Sequence, residues 1–355
     1  MSEADPGRRW LLGSRKALGE AYDVLLLDLD GTVYRGRQLV PGAAGVIAAL
    51  RGGGNHPVFV TNNAARTPQQ VAAHLVSLGV ACAAEEVATS AQAAAAELTT
   101  IVPRGARVLV VGGDGLRQAL QQVGLDPVDT AEDVAAVVQG WAPDLAWPLL
   151  AEGAFALAAG MPWVVANTDL TLPTERGTAP GNGSFVALLS SVTGRQPDRV
   201  AGKPAPPLLR QAAARFPGVS PLVVGDRLDT DVSGATAVAL PSLLVLSGVT
   251  GVAELLSASA DRRPTFLSYD LSGLIRRHEP AVAVEGGWRC GSARASVTAD
   301  GALEVSVAES AAQADLDVVR AACAAAWAAA DAGRGWTLDD ELRERLAAAA
   351  GPPTP

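Results

Sequence analysis

The sequence predicts an α/β protein whose frame is a doubly wound parallel sheet. Short continuous apolar runs, such as the one from Val24 to Leu27, have the pattern of strands buried on both faces. These runs alternate with helix-like segments along much of the chain, the order that builds parallel strands joined by crossover helices. The first run also ends in Asp28-Leu29-Asp30-Gly31-Thr32. Carboxylates are costly to bury, so two of them at a strand end point to a polar crevice there. In open α/β sheets the carboxyl ends of the strands are where ligands bind. Alternation along the strand lets Asp28 and Asp30 point the same way. Two like charges so placed need a cation or a shared proton.

Residues 1–14 are charged and irregular, and are expected to be disordered. After the first strand, residues 36–40 form a short hairpin-like excursion. Pro41 opens a helix to Leu50, which Gly52-Gly53-Gly54 ends. His56-Pro57 leads into a strand that closes on Thr61, and Thr67-Pro68 starts a helix to Leu78 that Gly79 caps. Further on come a strand over 107–111, a helix over 115–123, a strand over 134–139, a helix over 146–159 and a strand over 163–167. Gly112-Gly113-Asp114-Gly115 lacks the spacing of a nucleotide-binding loop and reads as a tight strand–helix turn. Next are a helix near 207–216, a strand over 221–225, a helix near 232–239 and a strand over 242–246. Residues 264–270 are a last core segment. Beyond residue 276, stretches 288–297 and 302–307 suggest a hairpin around Asp300-Gly301. An Ala-rich helix over 315–330 comes next, and the chain closes on the tail Gly-Pro-Pro-Thr-Pro.

Composition narrows the function classes. The 355 residues are 49% hydrophobic but only 4% aromatic, so the core must be mostly Ala, Val and Leu. A net charge of −9 disfavours nucleic acid and anionic membranes as partners. No apolar run approaches the length of a membrane span. The first twenty residues lack the apolar centre of a signal peptide. Three widely spaced cysteines, Cys82, Cys290 and Cys323, argue against a disulfide framework, so the expected location is cytoplasmic. His56, His74 and His278 are too dispersed for a zinc cluster or a Ser-His-Asp triad.

Four stretches, taken in order, carry a resemblance. Asp28-Leu29-Asp30-Gly31-Thr32-Val33 resembles motif I of the haloacid dehalogenase (HAD) superfamily. Val58-Phe59-Val60-Thr61-Asn62-Asn63 resembles its motif II, a strand ending in a hydroxyl. Gly202-Lys203-Pro204 resembles motif III, and the stretch from Val223-Val224-Gly225-Asp226 to Asp231 resembles motif IV. Each alone is weak, but four in order are specific. The gap between Asp28 and Thr61 has room for one helix, whereas that between Thr61 and Lys203 holds far more than connecting elements require. An inserted domain is therefore expected, and in this superfamily an insertion here resembles the type IIA cap. The expected domains are a HAD core over 15–96 and 200–275, an α/β cap over 97–199 and a small α+β extension over 276–355.

The residue types suit phosphoryl transfer. A phosphate monoester carries about two negative charges that repel an attacking carboxylate, and a divalent cation offsets them. Mg2+ prefers oxygen ligands and keeps several waters, so one or two carboxylates suffice. The resemblance implies Mg2+ held by Asp28, Asp226 and the backbone carbonyl of Asp30, with Asp231 orienting metal-bound water. Asp231 also fits the bland role of a carboxylate at a helix N-terminus, and Asp229 reads as a surface residue. Asp28 would be the nucleophile and Asp30 the general acid and base. Thr61, the backbone N–H of Asn62, Asn63 and Lys203 would hold or neutralise the phosphoryl oxygens.

Substrate choice is expected in the cap, in the polar, turn-rich stretch 167–177 and its continuation over 180–184. Asn167, Asp169 and Arg176 are its candidate specificity residues. The whole chain resembles actinobacterial glycerol-3-phosphate phosphatases, which carry a reduced acetyltransferase-like (GNAT-like) extension. Glycerol 3-phosphate is thus the expected substrate, and phosphoglycolate and pyridoxal phosphate are runners-up. The sequence does not give the oligomeric state; cap-mediated homodimers are common in the family it resembles. Gly333-Arg334-Gly335-Trp336 lacks the spacing of a coenzyme A loop and comes after the Ala-rich helix, so the extension should not transfer acetyl groups. A phospho-accepting signalling receiver also uses a strand-end Asp, a hydroxyl and a Lys. It places its acidic pair on an earlier strand, and the cap-sized insert disagrees with it.

Overall fold

The computed structural model describes residues 9–174, 176–307 and 316–351, and the side chain of Pro173 lies outside that description. Four expectations fall wholly or partly outside it: disorder over 1–8, Glu175 in the specificity stretch, the first residue of the helix expected over 315–330, and tail residues 352–355. The chain forms two compact units, residues 1–57 with 218–355, and residues 58–217.

In the first unit, strands Val24–Asp28, Pro221–Gly225, Ser242–Val245 and Phe266–Ser268 run parallel, each paired with the next. Val24 to Leu27 are wholly buried, as the unbroken apolar run predicts. The register pairs Leu27 with Val224, so the next rung brings Asp28 level with Gly225, the residue before Asp226. Helix Ala43–Gly52 starts two residues after Pro41, because Gly42 takes a left-handed conformation (φ 80°) ahead of it.

The extension belongs to this unit. It is a four-stranded antiparallel meander, Val282–Val284, Gly287–Cys290, Ala293–Val297 and Leu303–Val307, against helix Leu316–Asp331. The expected turn at Asp300-Gly301 is present. The strand expected over 288–297 is in fact two, broken by a turn at Gly291 with φ 52°. Helix Asp340–Ala349, capped by the Asp339 carboxylate, was not foreseen.

The expectation of disorder over 1–14 is corrected for residues 9–14. Leu11 is buried, and its N–H donates to the Pro264 carbonyl at 3.1 Å. Trp10 lies 5.4 Å from the ring of Trp288 and 5.2 Å from that of Trp327. The buried Arg263 guanidinium sits over both Trp10 and Trp327 and forks onto Asp331 at 2.6 and 2.8 Å. The packing of Trp10 against two further tryptophans and the burial of Leu11 repay the ordering of such a segment, and a charge count could not reveal that. Leu11, Leu244, Leu255 and Leu267 share one apolar cluster with Val319, Cys323 and Trp327, so the extension has no separate core.

The second unit holds the parallel pair His56–Thr61 (from residue 58 on) and Val87–Thr89, in register Thr61 with Thr89. It also holds a five-stranded parallel sheet ordered Arg199–Val200, Trp163–Val165, Ala136–Gln139, Arg107–Val111, Asp126–Val128. Helices Asp114–Gln122, Trp147–Ala158 and Asn182–Thr193 join its strands. Helix Pro68–Ser77 begins in the expected place, with Thr67 and Gln70 forming a reciprocal capping box. Helix Ser90–Leu98 was missed, since its run of alanines has little amphipathic contrast. The polar stretch near 171–180 is more ordered than expected. It forms an antiparallel hairpin of Thr171–Thr174 with Gly177–Pro180.

The glycines of 112–115 behave as a tight strand–helix turn. Gly115 donates to the Ala65 carbonyl, and a Cβ on it would stand 2.3 Å from the Ala64 carbonyl oxygen.

Candidate active site

Each unit gathers part of the residues the motifs single out. In the first, the carboxylates of Asp28, Asp226 and Asp231 converge, each offering an oxygen within 4.8 Å of the others. Asp28 is half-buried at its strand end, whereas Asp226 and Asp231 are 0% and 1% exposed. Three carboxylates this close repel one another strongly, and a hard divalent cation with oxygen ligands relieves that repulsion. Two glycines make the approach possible. A Cβ on Gly225 would stand 2.1 Å from the Asp231 carboxyl carbon, and one on Gly31 would stand 2.4 Å from Asp226 Oδ2. The donor set and the cradle therefore fit Mg2+.

Asp231 stands within the cluster, and its Oδ2 accepts the N–H of Arg227, the residue that opens the helical turn over 228–232, at 3.2 Å. Asp229 points elsewhere and forks with Arg227 at 2.8 and 3.0 Å. Burial works to raise its pKa, but the Arg227 hydrogen bond and charge outweigh it and hold the carboxyl below its usual range.

Asp30 is exposed, two residues beyond Asp28. The turn that carries it is tight. The Leu29 carbonyl faces the N–H groups of Thr32, Val33 and Tyr34, while Gly31 N–H donates to the Tyr34 carbonyl at 2.7 Å. Gly31 has φ 88°, the conformation that favours glycine at this position.

In the second unit, motifs II and III are stitched together by one side chain. Asn62 Oδ1 accepts the Lys203 N–H at 2.9 Å, and its Nδ2 donates to the Lys203 carbonyl at 2.9 Å. The same Nδ2 reaches Asp169 Oδ2 at 3.1 Å. The Asn62 carbonyl accepts from Asn167 Nδ2 and Ser90 Oγ, both at 2.6 Å. A Cβ on Gly202 would lie 2.6 Å from Asn62 Oδ1, so only glycine lets the strands close here. Lys203 is 2% exposed, far from the solvated loop lysine that an isolated Gly-Lys-Pro suggests. An ammonium so buried calls for nearby negative charge. Thr61 is buried too, its hydroxyl oxygen accepting the Asn63 N–H at 3.1 Å, and Asn63 Oδ1 in turn accepts the Ala65 N–H.

The three candidate specificity residues separate. Asn167 is buried with both ends of its amide engaged: Nδ2 on the Asn62 carbonyl, and Oδ1 accepting the Asp169 N–H at 3.1 Å. Its carbonyl accepts Asn182 Nδ2 at 2.6 Å. Asn167 thus positions the loop. Asp169 is half-buried beside Asn62, and Arg176 is exposed at the hairpin turn. Sequence reading missed the Asn62 side chain and Ser90. Asn182 lies in the stretch 180–184 that the sequence singles out, at the start of a helix, and its bond to the Asn167 carbonyl emerges only from the fold.

Comparison with known proteins identifies the family. A family model described as haloacid dehalogenase-like hydrolase matches residues 25–126, and a second, HAD-hydrolase-like model matches 200–274. The D-glycerol 3-phosphate phosphatase of Mycobacterium tuberculosis is 46% identical over 316 residues, covering 88% of each chain. An acid sugar phosphatase of Staphylococcus saprophyticus is 35% identical over 73% of this chain and 98% of its own. Among solved structures, the glycerol phosphate phosphatase of M. tuberculosis in complex with magnesium aligns with a TM-score of 0.83 and 44% identity. That alignment covers 94% of this chain and 98% of the other.

Proposed function

The chain belongs to the haloacid dehalogenase-like hydrolases and is a phosphatase, and from that premise we propose that it hydrolyses glycerol 3-phosphate with Mg2+ as cofactor. The observation that carries the metal and the chemistry is the Asp28–Asp226–Asp231 cluster at adjoining strand ends. The substrate reading draws support from the activity of the 46% identical relative.

Asp28, Asp226 and the Asp30 carbonyl would hold the Mg2+, with Asp231 beside them. When bound, the ion offsets phosphoryl charge that would repel an attacking carboxylate. The protein's own groups do the rest. The Asp28 carboxylate attacks phosphorus, and the bond from phosphorus to the glycerol oxygen breaks as an aspartyl phosphate forms. Asp30 gives its proton to the departing oxygen, then takes one from the water that attacks the aspartyl phosphate. The second attack frees Asp28 and inorganic phosphate. Thr61, the Asn62 N–H, Asn63 and Lys203 are assigned to the phosphoryl oxygens on their motif positions. Exposure leaves Asp30 accessible to the departing oxygen and to the attacking water.

The domain assignment we favour is a core of 15–96 and 200–275, a cap of 97–199 and an extension of 276–355. The extension serves packing and transfers no acetyl group, a reading its shared core with the parallel sheet supports. A homodimer through the second unit is supported by exposed apolar side chains on neighbouring helices: Trp147, Phe155, Leu188 and Val192. Sedimentation of Phe155→Ser against the parent chain tests it, a shift to monomer being expected. Among the described residues no helix is long and apolar enough to cross a membrane, in keeping with a cytoplasmic enzyme.

Phosphate release from a panel of phosphorylated metabolites tests the substrate. Glycerol 3-phosphate should show a higher kcat/KM than phosphoglycolate, pyridoxal phosphate or sugar phosphates. A clear preference for another member of the panel replaces the substrate and leaves the reaction standing.

A further inference from the structure

The strand Ser242–Val245 leads into Leu246-Ser247-Gly248-Val249-Thr250, a stretch to which the four motifs give no role. Its contacts converge on the carboxylate cluster. The buried Ser247 hydroxyl donates to the Gly31 carbonyl at 2.7 Å, and the Ser247 carbonyl accepts from Arg35 Nη2. Val249 N–H donates to Asp226 Oδ2 at 2.6 Å, and Thr250 N–H faces the Asp226 carbonyl at 3.3 Å. Between them, Gly248 packs so tightly that a Cβ would stand 1.8 Å from Asp226 Oδ2.

We propose that residues 247–250 are a clamp that positions Asp226 relative to the Asp28–Asp30 turn and so sets the affinity of the site for its divalent cation. One end grips the turn after Asp30 through the Gly31 carbonyl. The other grips a carboxylate whose rotation a short, charge-assisted bond to one oxygen restrains. Because both grips come from one short segment, the spacing between the proposed ligands is fixed before an ion arrives. Mg2+ demands near-ideal octahedral geometry, so its affinity is sensitive to that spacing. Ser247 and Gly248 act here as positioning residues, through Asp226 and the turn. The inference rests on the Mg2+ reading given above.

Calorimetric titration of the full chain with Mg2+, without substrate, is the test. Groups that hold a metal ligand from behind are worth about 10–100-fold in metal affinity. Ser247→Ala should therefore raise the Mg2+ Kd about tenfold, and Ser247→Thr should recover most of the loss. Gly248→Ala should cost more, since its methyl must displace Asp226. In turnover, the Mg2+ concentration for half-activation should rise in Ser247→Ala more than kcat falls at saturating Mg2+. Unchanged Kd in the alanine variants overturns the clamp, as does an equal loss in Ser247→Thr and Ser247→Ala. Should Gly248→Ala fail to fold, the Ser247 pair decides. A parent chain that binds no Mg2+ overturns the metal reading itself, a result distinct from variants that bind like the parent.

Discussion

The parallel strands of the first unit and the five-stranded sheet of the second are built from the same material, short runs of Val and Leu buried almost completely. They differ in the residues at the carboxyl end of each strand. In the first unit Val24–Asp28 ends in a carboxylate, and Pro221–Gly225 runs directly into Asp226. In the second, Arg107–Val111 runs into Gly112, Ala136–Gln139 into Gly140, and Trp163–Val165 into Ala166 and Asn167. The scaffold is the same hydrophobic solution reached twice. The chemistry is set by one or two residues where backbone pairing stops and a polar side chain can turn into a crevice. Acidic ends gather negative charge in one place, and small or amide ends hold loops.

Substitutions at the strand ends test that contrast. Asp28→Asn should take phosphatase turnover below detection, since a neutral amide is a poor nucleophile and a poor metal ligand. Steady-state rates with Mg2+ and with chelator check it, and near-parental rates would break the assignment. Asp30→Asn should lower kcat by roughly 10²–10⁴-fold, the worth of general acid–base help. Its loss should be smaller for p-nitrophenyl phosphate, whose leaving group needs little protonation.

A neutral end should behave differently. Asn62→Ala removes the paired bonds to the Lys203 backbone and the contact with Asp169. Leaving those buried groups unpaired should cost about 1–3 kcal/mol of stability, read by denaturant unfolding, alongside a fall in kcat. A fall in kcat with no loss of stability would contradict the stitching role.

The first unit also carries a pH signature. His278 is buried, its Nε2 lies 2.9 Å from the Gly273 carbonyl, and its ring meets Phe266 edge-on. Burial is the leading cause that lowers its pKa to about 4, against a smaller upward pull from the Gly273 bond. Above the unfolded value of about 6.5, both states are neutral and His278 adds no pH dependence. Between there and about 4 the unfolded chain binds a proton that the folded chain does not, so stability falls as pH falls, then levels off. Thermal unfolding between pH 7 and 4 should show this decline, and His278→Gln should flatten it. An unchanged slope would remove His278 from the account.

The smallest effect is expected in the second sheet. Gln139 is wholly buried at a strand end, and its amide atoms have no hydrogen-bond partner among the described residues. Gln139→Met should be neutral or stabilising by about 1 kcal/mol, with phosphatase rates unchanged. Marked destabilisation would show that this neutral end has a polar task of its own.

Much of this was legible in the chain. Asp28, Asp30, Thr61, Lys203 and Asp226 announce themselves because each lies within a few residues of a strand's carboxyl end, and strand ends are local events. The extension was harder to read. Alternation along 288–297 looked continuous, and only the left-handed Gly291 reveals two strands. Trp10 and Leu11 sit in a charged, irregular stretch, and their burial depends on Trp288, Trp327 and Arg263, which are far away in sequence.

The sequence by itself determined the α/β class, much of the alternation of strands and helices, and which strand ends carry polar groups. Apolar periodicity and strand-end residues are short-range signals that survive without coordinates. Tertiary structure alone decided which groups meet. That Asp231 turns back onto Gly225, that Asn62 brackets Lys203, and that Val249 and Ser247 grip Asp226 and Gly31 all depend on close approach at glycines and on backbone N–H and C=O groups. Every residue but proline offers that N–H, and every residue that C=O. A backbone donor therefore leaves no mark in the sequence until the fold aims it.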